Sequence, residues 1–257
     1  MLRRNFIKTA GLLAAVPACG SLAANGAVPA SGVKEIYEWR IYGLKGDGAA
    51  LDDFYAKTLI PAYNRMGITV GAFAPEMAGE TLQRYFLFIY PNLATYHEVK
   101  LKLWDDKAFR EAAQAFYDSS AAAPVYSEFV SYLCEAFDKV PRMLKPDKSR
   151  TLFEWRNYKS PNEEANRRKV KMFNSGEIDV FDAAGINSVC YGEVLAGPRM
   201  PSLVYLTWHK DKATRDEAWK KFGGHPEWQR MRNLDEYKYT ATDNQVVLLT
   251  PLAYSQI

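Results

Sequence analysis

Tyr37-Glu38-Trp39-Arg40-Ile41-Tyr42, near the start of the chain, returns past its middle as Phe153-Glu154-Trp155-Arg156-Asn157-Tyr158. Both copies alternate in character with period two, the pattern of a β-strand with two unlike faces. One face carries Tyr37, Trp39 and Ile41, or Phe153 and Trp155. The other carries Glu38, Arg40 and Tyr42, or Glu154, Arg156 and Tyr158. A strand that repeats Glu-x-Arg-x-Tyr is expected to line a cavity. On that reading Arg40 and Arg156 are donors to an anionic or carbonyl-bearing ligand. Tyr42, Tyr158, Glu38 and Glu154 shape the site, and a buried glutamate of raised pKa is the available base. The competing reading is structural: glutamate and arginine pair across strands where two sheets meet, and the tyrosines fill space.

Outward from the first copy, Gly43 to Gly48 makes a turn. Leu51, Phe54, Tyr55, Thr58, Leu59, Ala62, Tyr63 and Met66 then fall on one helical stripe, which Pro61 should kink and Gly67 should end. Ile68 to Pro75 and Arg84 to Tyr90 form a hairpin about a turn at Ala78-Gly79-Glu80. A second helical region opens at Pro91-Asn92, breaks near Asp105-Asp106 and continues from Ala108 to Tyr117. Phe129 to Phe137 is a last strand. The order β-α-β-β-α-β is ferredoxin-like.

Residues 139–150, with Pro141 and Pro146, read as a linker between a first domain over 31–138 and a second over 151–257. The second repeats the first. Gly67-Ile68-Thr69 corresponds to Gly185-Ile186-Asn187 and Tyr85–Tyr90 to Leu203–Trp208, both at an ungapped offset of 118 (185 − 67 and 208 − 90). Asp106-Lys107-Ala108-Phe109 parallels His225-Pro226-Glu227-Trp228, and Val130–Phe137 parallels Val246–Tyr254. The expected fold is α+β: two ferredoxin-like domains in tandem, their sheets face to face in one intramolecular dimeric α/β-barrel. Gly176 should split the first helix of the second half.

An opening Tyr/Phe-Glu-x-Arg-x-Tyr strand, a long helix, Gly-Ile with a hairpin, and a helix with an Asp/Pro-x-Trp/Phe element resemble the NIPSNAP family. The resemblance covers 35–137 and 151–254. It implies the dimeric α/β-barrel group, a fold that hosts many chemistries and so names no reaction. It carries over no catalytic residues.

The remaining motifs are few. Met1-Leu2-Arg3-Arg4-Asn5-Phe6-Ile7-Lys8 and the apolar run Ala10–Ala18 resemble a twin-arginine export signal over residues 1–30. Cys19 is a lipidation candidate; cleavage near Ser21-Leu22-Ala23 would leave a soluble periplasmic protein instead. The expected location is periplasmic or membrane-anchored, with no other membrane association. The net charge is +3, and Arg3, Arg4 and Lys8 supply 3, so the rest sums to 0 and nucleic acid is not an expected partner. Cys134 and Cys190 read as buried free thiols. His97, His209 and His225 are isolated, so no metal or cofactor is expected; His209 ranks first among them because it ends a core strand. The run Arg167, Arg168, Lys169 and Lys171 reads as a solvated helix face. No nucleophile–base pair is visible. The chain therefore reads as an exported binding or interaction protein for a small polar or anionic ligand or a protein partner, accessory to small-molecule or carbohydrate metabolism. The alternative is a cofactor-independent isomerase or monooxygenase-like enzyme with its substrate in the barrel. Further homo-oligomerisation is compatible with either.

Overall fold

A computed structural model describes residues 33–77 and 82–257. The export and lipidation readings at Arg3, Arg4 and Cys19, and the turn at Ala78-Gly79-Glu80, lie outside the described residues. The first half runs β1 (Ile36–Leu44), α1 (Ala49–Phe54), a π-helical turn (Tyr55–Leu59), α2 (Ile60–Arg65), β2 (Thr69–Pro75), β3 (Gln83–Tyr90), α3 (Leu93–Asp105), α4 (Lys107–Ala122) and β4 (Tyr126–Ala136). The second runs β5 (Leu152–Lys159), α5 (Glu163–Met172), a π-helical turn (Phe173–Glu177), α6 (Ile178–Ala184), β6 (Asn187–Ala196) and β7 (Ser202–His209). It ends with α7 (Lys212–Gly224), α8 (Pro226–Arg232), a 3-10 turn (Asp235–Tyr237) and β8 (Asp243–Pro251).

Local chemistry sets these bounds. The Asn92, Asp106, Asn162 and Asp211 side chains accept backbone N–H groups at the starts of α3, α4, α5 and α7. Asp106 thus explains the break expected there: one helix ends and the next is capped by the same residue. Gly67 and Gly185 end their helices with φ of 76° and 86°, a conformation that glycine adopts without strain. The interruption expected at Pro61 takes the form of the π-helical turn, and Pro61 sits in the first turn of α2.

The eight strands close into a barrel in the order β1-β3-β2-β8-β5-β7-β6-β4. Each half supplies one four-stranded antiparallel sheet, and the seams are β2–β8 and β4–β6. Chain 252–257 extends the first seam: the Val70 and Ala72 N–H groups donate to the Gln256 and Ser255 side chains at 2.8 and 2.9 Å. At the second seam a Cβ on Gly192 would come 2.7 Å from Cys134 Cβ, so this close approach needs glycine.

The two faces of the signature strands point opposite to expectation. Tyr37, Trp39 and Ile41 of β1 and Phe153 and Trp155 of β5 fill the barrel with Phe73, Leu87, Leu206 and Leu249. The Trp39 and Trp155 rings meet edge-on there at 6.3 Å. Glu38, Arg40, Tyr42, Glu154, Arg156 and Tyr158 lie instead on the outer face, under the helices, with Tyr42 and Tyr158 in the sheet–helix cores. The physical reason is complementarity. Two sheets that face each other exclude water with apolar side chains, whereas helices can bring their own polar groups to meet a charged strand face.

The repeat also departs from an ungapped match. Ile36 pairs with Tyr90 and Glu38 with Phe88, while Leu152 pairs with His209 and Glu154 with Thr207. The β3-to-β7 offset is therefore 119 (209 − 90). A β-bulge between Ser188 and Cys190 supplies the extra residue. Because side chains alternate, this one residue makes His209, rather than Trp208, the counterpart of Tyr90.

Candidate functional site

Arg40 leaves β1 beneath α2 and α3. Its Nε and Nη2 donate to the two Glu38 oxygens at 3.0 and 2.9 Å, and Nη2 also reaches the Tyr63 hydroxyl at 2.9 Å. Phe88 lies against the guanidinium, 4.1 Å from its carbon to the ring centroid. Glu38 takes three further hydrogen bonds, from Tyr90 Oη and Lys100 Nζ, both 2.9 Å, and from Ser131 Oγ at 3.4 Å. Burial would raise this carboxyl, but the charges of Arg40 and Lys100 outweigh it and hold it at about 2. A glutamate so held is an anion at neutral pH and a poor base, contrary to the raised pKa expected from burial alone.

No hydrogen bond of ordinary length joins Arg40 Nη1 to a described residue. Burial raises the pKa of the Tyr42 hydroxyl, and the guanidinium is near enough to oppose that rise. The Tyr42 hydroxyl instead accepts from Tyr55, on the π-helical turn, at 2.9 Å. Arg156 differs at this point. Its Nε and Nη2 reach Glu154 Oε1 at 2.8 and 2.6 Å, and its Nη1 reaches the Tyr158 hydroxyl at 2.8 Å. Glu154 also receives two bonds from Arg215 and one from Trp219 Nε1, between 2.7 and 3.0 Å. Burial opposes ionisation of Glu154; the bonds and charges of Arg215 and Arg156 nevertheless hold its pKa far below the usual carboxylate range. His209 is fully buried with Nε2 3.7 Å from Glu154 Oε2, and neither ring nitrogen has a hydrogen-bond partner among the described residues.

A pocket of about 270 Å3 opens between sheet and helices of the first half, with Arg40 and Tyr42 at its base. Lys100 and Trp104 of α3 and Phe116 and Tyr117 of α4 form much of its wall. Trp104 is 56% exposed at the mouth. Phe54 stacks on Phe116 with ring centroids 4.0 Å apart, so the wall is flat and apolar. A second opening, of about 460 Å3 at the barrel mouth, contains Tyr85, Tyr132, Trp155 and Arg199. The nitrogens of that arginine are already engaged, Nε with Asn157 at 2.8 Å and Nη1 and Nη2 with Asp243 at 2.9 and 3.0 Å.

The structure thus gathers Glu38, Arg40 and Tyr42 at one site and Glu154, Arg156, Tyr158 and His209 at another. Of these residues, Arg40 and Tyr42 border the first-half pocket and Glu38 lies behind them. Among the described residues no three His, Cys, Asp or Glu side chains cluster as metal ligands. Lys100, Tyr63 and Trp104 were not legible as site residues. Lys100 did leave a signal, a cation within the apolar stripe of Tyr96, Val99 and Leu103. The basic run at 167–171 needs correction too: Lys169 is 5% exposed and its Nζ is 2.8 Å from Glu177 Oε2. Offsets of 118 put Lys169 and Glu177 where the first half has Leu51 and Leu59, facing the sheet.

The NIPSNAP family model matches residues 37–131 and 153–256. No curated protein matches the sequence. Among solved structures, a candidate monooxygenase from Lactobacillus acidophilus NCFM is 12% identical with a TM-score of 0.57, over 85% of this chain and 94% of its own. A candidate monooxygenase from Fusobacterium nucleatum is 9% identical with a TM-score of 0.55, over 86% and 93%. An uncharacterized NIPSNAP-like domain protein from Burkholderia xenovorans is 20% identical with a TM-score of 0.38, over 42% of this chain and 90% of its own.

Proposed function

The chain belongs to the NIPSNAP family, and from that premise we propose that it is an exported binding protein. It takes a small planar ligand bearing a carboxylate, phenolate or carbonyl oxygen in the first-half pocket. One observation carries this reading: Arg40 Nη1 borders an aromatic-walled pocket without a protein acceptor, while all three nitrogens of Arg156 are engaged. A buried guanidinium with one unengaged nitrogen, Nη1, is matched by an anionic or carbonyl acceptor, and the flat walls match an aromatic ring. Lys100 adds a second positive charge beside the same base.

The export part of the proposal rests on Arg3-Arg4 and the apolar run after them. Replacing both arginines by lysine should trap precursor in the cytoplasm, and unchanged export would remove the twin-arginine route. Fatty-acid labelling lost in Cys19→Ala would assign the lipid to Cys19.

The ligand part is tested with benzoate as probe on the full chain, following the fluorescence difference between wild type and Trp104→Phe. Benzoate should quench the Trp104 contribution. Arg40→Lys, which keeps a cation beside Glu38 but loses the outer donor, should weaken quenching about tenfold or more, the equivalent of one charge-assisted hydrogen bond. No quenching by benzoate, phenol or acetophenone, or quenching indifferent to Arg40→Lys, would sink the assignment. The two candidate monooxygenases support the enzymatic alternative only at the level of fold. That alternative requires oxygen uptake or isomerisation dependent on a ligand of this pocket.

A further inference from the structure

The second half has its own opening in the equivalent place, and its chemistry is different. It has a volume of about 500 Å3 and lies between the sheet, α5, α8 and the loop that follows α8. Three of its lining residues, Lys169, Met172 and Asn244, hold positions whose first-half counterparts border the first pocket. At an offset of 118, Lys169 and Met172 stand where Leu51 and Phe54 border the first pocket. Strand pairing matches Asn244, opposite Tyr158, to Phe129, opposite Tyr42. Arg156 itself does not border the opening. Trp219 covers its guanidinium at 3.8 Å, and Lys169 with Glu177 fills the space that two leucines occupy in the first half.

What replaces the aromatic wall is polar. Lys169 Nζ gives one proton to Glu177 at 2.8 Å and points another at Met172 Sδ at 3.6 Å. Its third proton has no acceptor among the described residues. The Phe173 and Trp228 rings lie 4.8 and 5.6 Å from the ammonium. Arg232 stacks on Trp228 at 5.9 Å and makes no hydrogen bond or ion pair with a described residue. Lys238, the remaining cation, is already held by Asp235. Tyr239 sits at the mouth with φ of 57° and is 85% exposed. A tyrosine held in the left-handed region with its ring in water is strained and unpacked, a cost that a bound partner would offset. Asn244 adds a free amide, and Asn233 an unused carbonyl oxygen beside its bond to Gln229.

We propose that this opening is a second, separate binding site for a hydroxylated ring that carries a carboxylate, the chemistry of an acidic monosaccharide. Arg232 and Lys169 meet the carboxylate, the amides meet hydroxyls, and Trp228 and Tyr239 offer faces for the C–H side of the ring. The duplication has then produced two sites of different specificity in one chain, an aromatic-walled one and a polar, cationic one. This inference is independent of the first pocket, and its variants lie in the other half.

Isothermal titration of the full chain with glucuronate, glucose, benzoate and inorganic phosphate decides it. Glucuronate should bind, with glucose and phosphate each at least tenfold weaker, and benzoate should not displace it. Arg232→Gln should weaken glucuronate at least tenfold and leave Trp104 quenching by benzoate unchanged. Tyr239→Gly, which relieves the backbone while removing the ring, should weaken glucuronate without lowering the melting temperature. Absent glucuronate binding, equal glucose binding, displacement by benzoate, or affinity indifferent to Arg232→Gln would each overturn the proposal.

Discussion

At the scale of single residues, the two signature arginines answer to the fold before any ligand. Each is locked to a buried glutamate two positions earlier, at 2.9 and 2.6 Å. Breaking a buried pair costs roughly 3–5 kcal/mol because the remaining charge is stranded. Here the glutamates keep other partners, Lys100 and Tyr90 for Glu38 and Arg215 and Trp219 for Glu154. Arg40→Met and Arg156→Met should therefore each fall near the low end, about 3 kcal/mol by chemical denaturation. An unchanged midpoint in either would show that its pair is energetically idle. The same pairing sets an acid limit. The Glu38 carboxyl is depressed from 4.5 to about 2 in the folded chain. Its stabilisation is complete above the unfolded value and is lost as pH falls from about 4.5 through 2. Glu38→Gln should flatten stability over that window, and an unaltered acid limb would contradict the pairing. The charged residues were legible from sequence, but the pairing was not: a cross-strand pair between facing sheets was expected, and each arginine bonds instead to the glutamate two positions earlier on its own strand. Nor was the face, since alternation tells that two faces differ without telling which one meets helices.

At the scale of elements, one inserted residue and one buried ion pair separate the halves. The bulge beside Val189 escaped an ungapped match because Leu203–Trp208 reads as apolar strand in either register. Only pairing shows that His209 replaces Tyr90. Helix α5 was misread for a related reason: four cations in five positions suggest a solvated face, yet one of them must turn inward on a helix this amphipathic. Lys169 and Glu177, where the first half has Leu51 and Leu59, should contribute little net stability, since a buried pair repays its desolvation poorly. Restoring the first-half residues in Lys169→Leu/Glu177→Leu should be neutral or stabilising by about 1–4 kcal/mol, whereas Lys169→Leu alone should destabilise. Burial raises the Glu177 carboxyl and Lys169 opposes it, so the single variant leaves an acid that escapes its cost only by protonation. A double variant as unstable as the single would mean that the pair is kept for the fold, and would remove one argument for the second site.

At the scale of the whole molecule, the duplication is what closes the barrel. The topology was readable from the order of elements and the repeated phrase, because ferredoxin-like order leaves one sheet face without helices and two such faces can cover each other. What pattern could not supply was how completely that interior fills: Trp39, Phe73, Phe153 and Trp155 are each at most 2% exposed. These rings fill the barrel centre; the space left to a substrate of the barrel is the opening of about 460 Å3 at its mouth, lined by Ile41, Tyr85, Tyr132 and Trp155, while the first-half pocket lies outside, between sheet and helices. The cost of separating the halves follows. Residues 33–140 expressed alone would bare the inward faces of β1, β2, β3 and β4, which carry Tyr37, Trp39, Ile41, Phe73, Tyr85 and Leu87 in contiguous array. An apolar surface of that extent is not stable in water as a monomer. The fragment should therefore be insoluble or form a homodimer that rebuilds the barrel by pairing β2 of one copy with β4 of the other, since these are the strands left open at the seams. Sedimentation measures the outcome directly. A monomer that unfolds cooperatively would show that the half carries its own core and that the barrel interior contributes association without being required for folding.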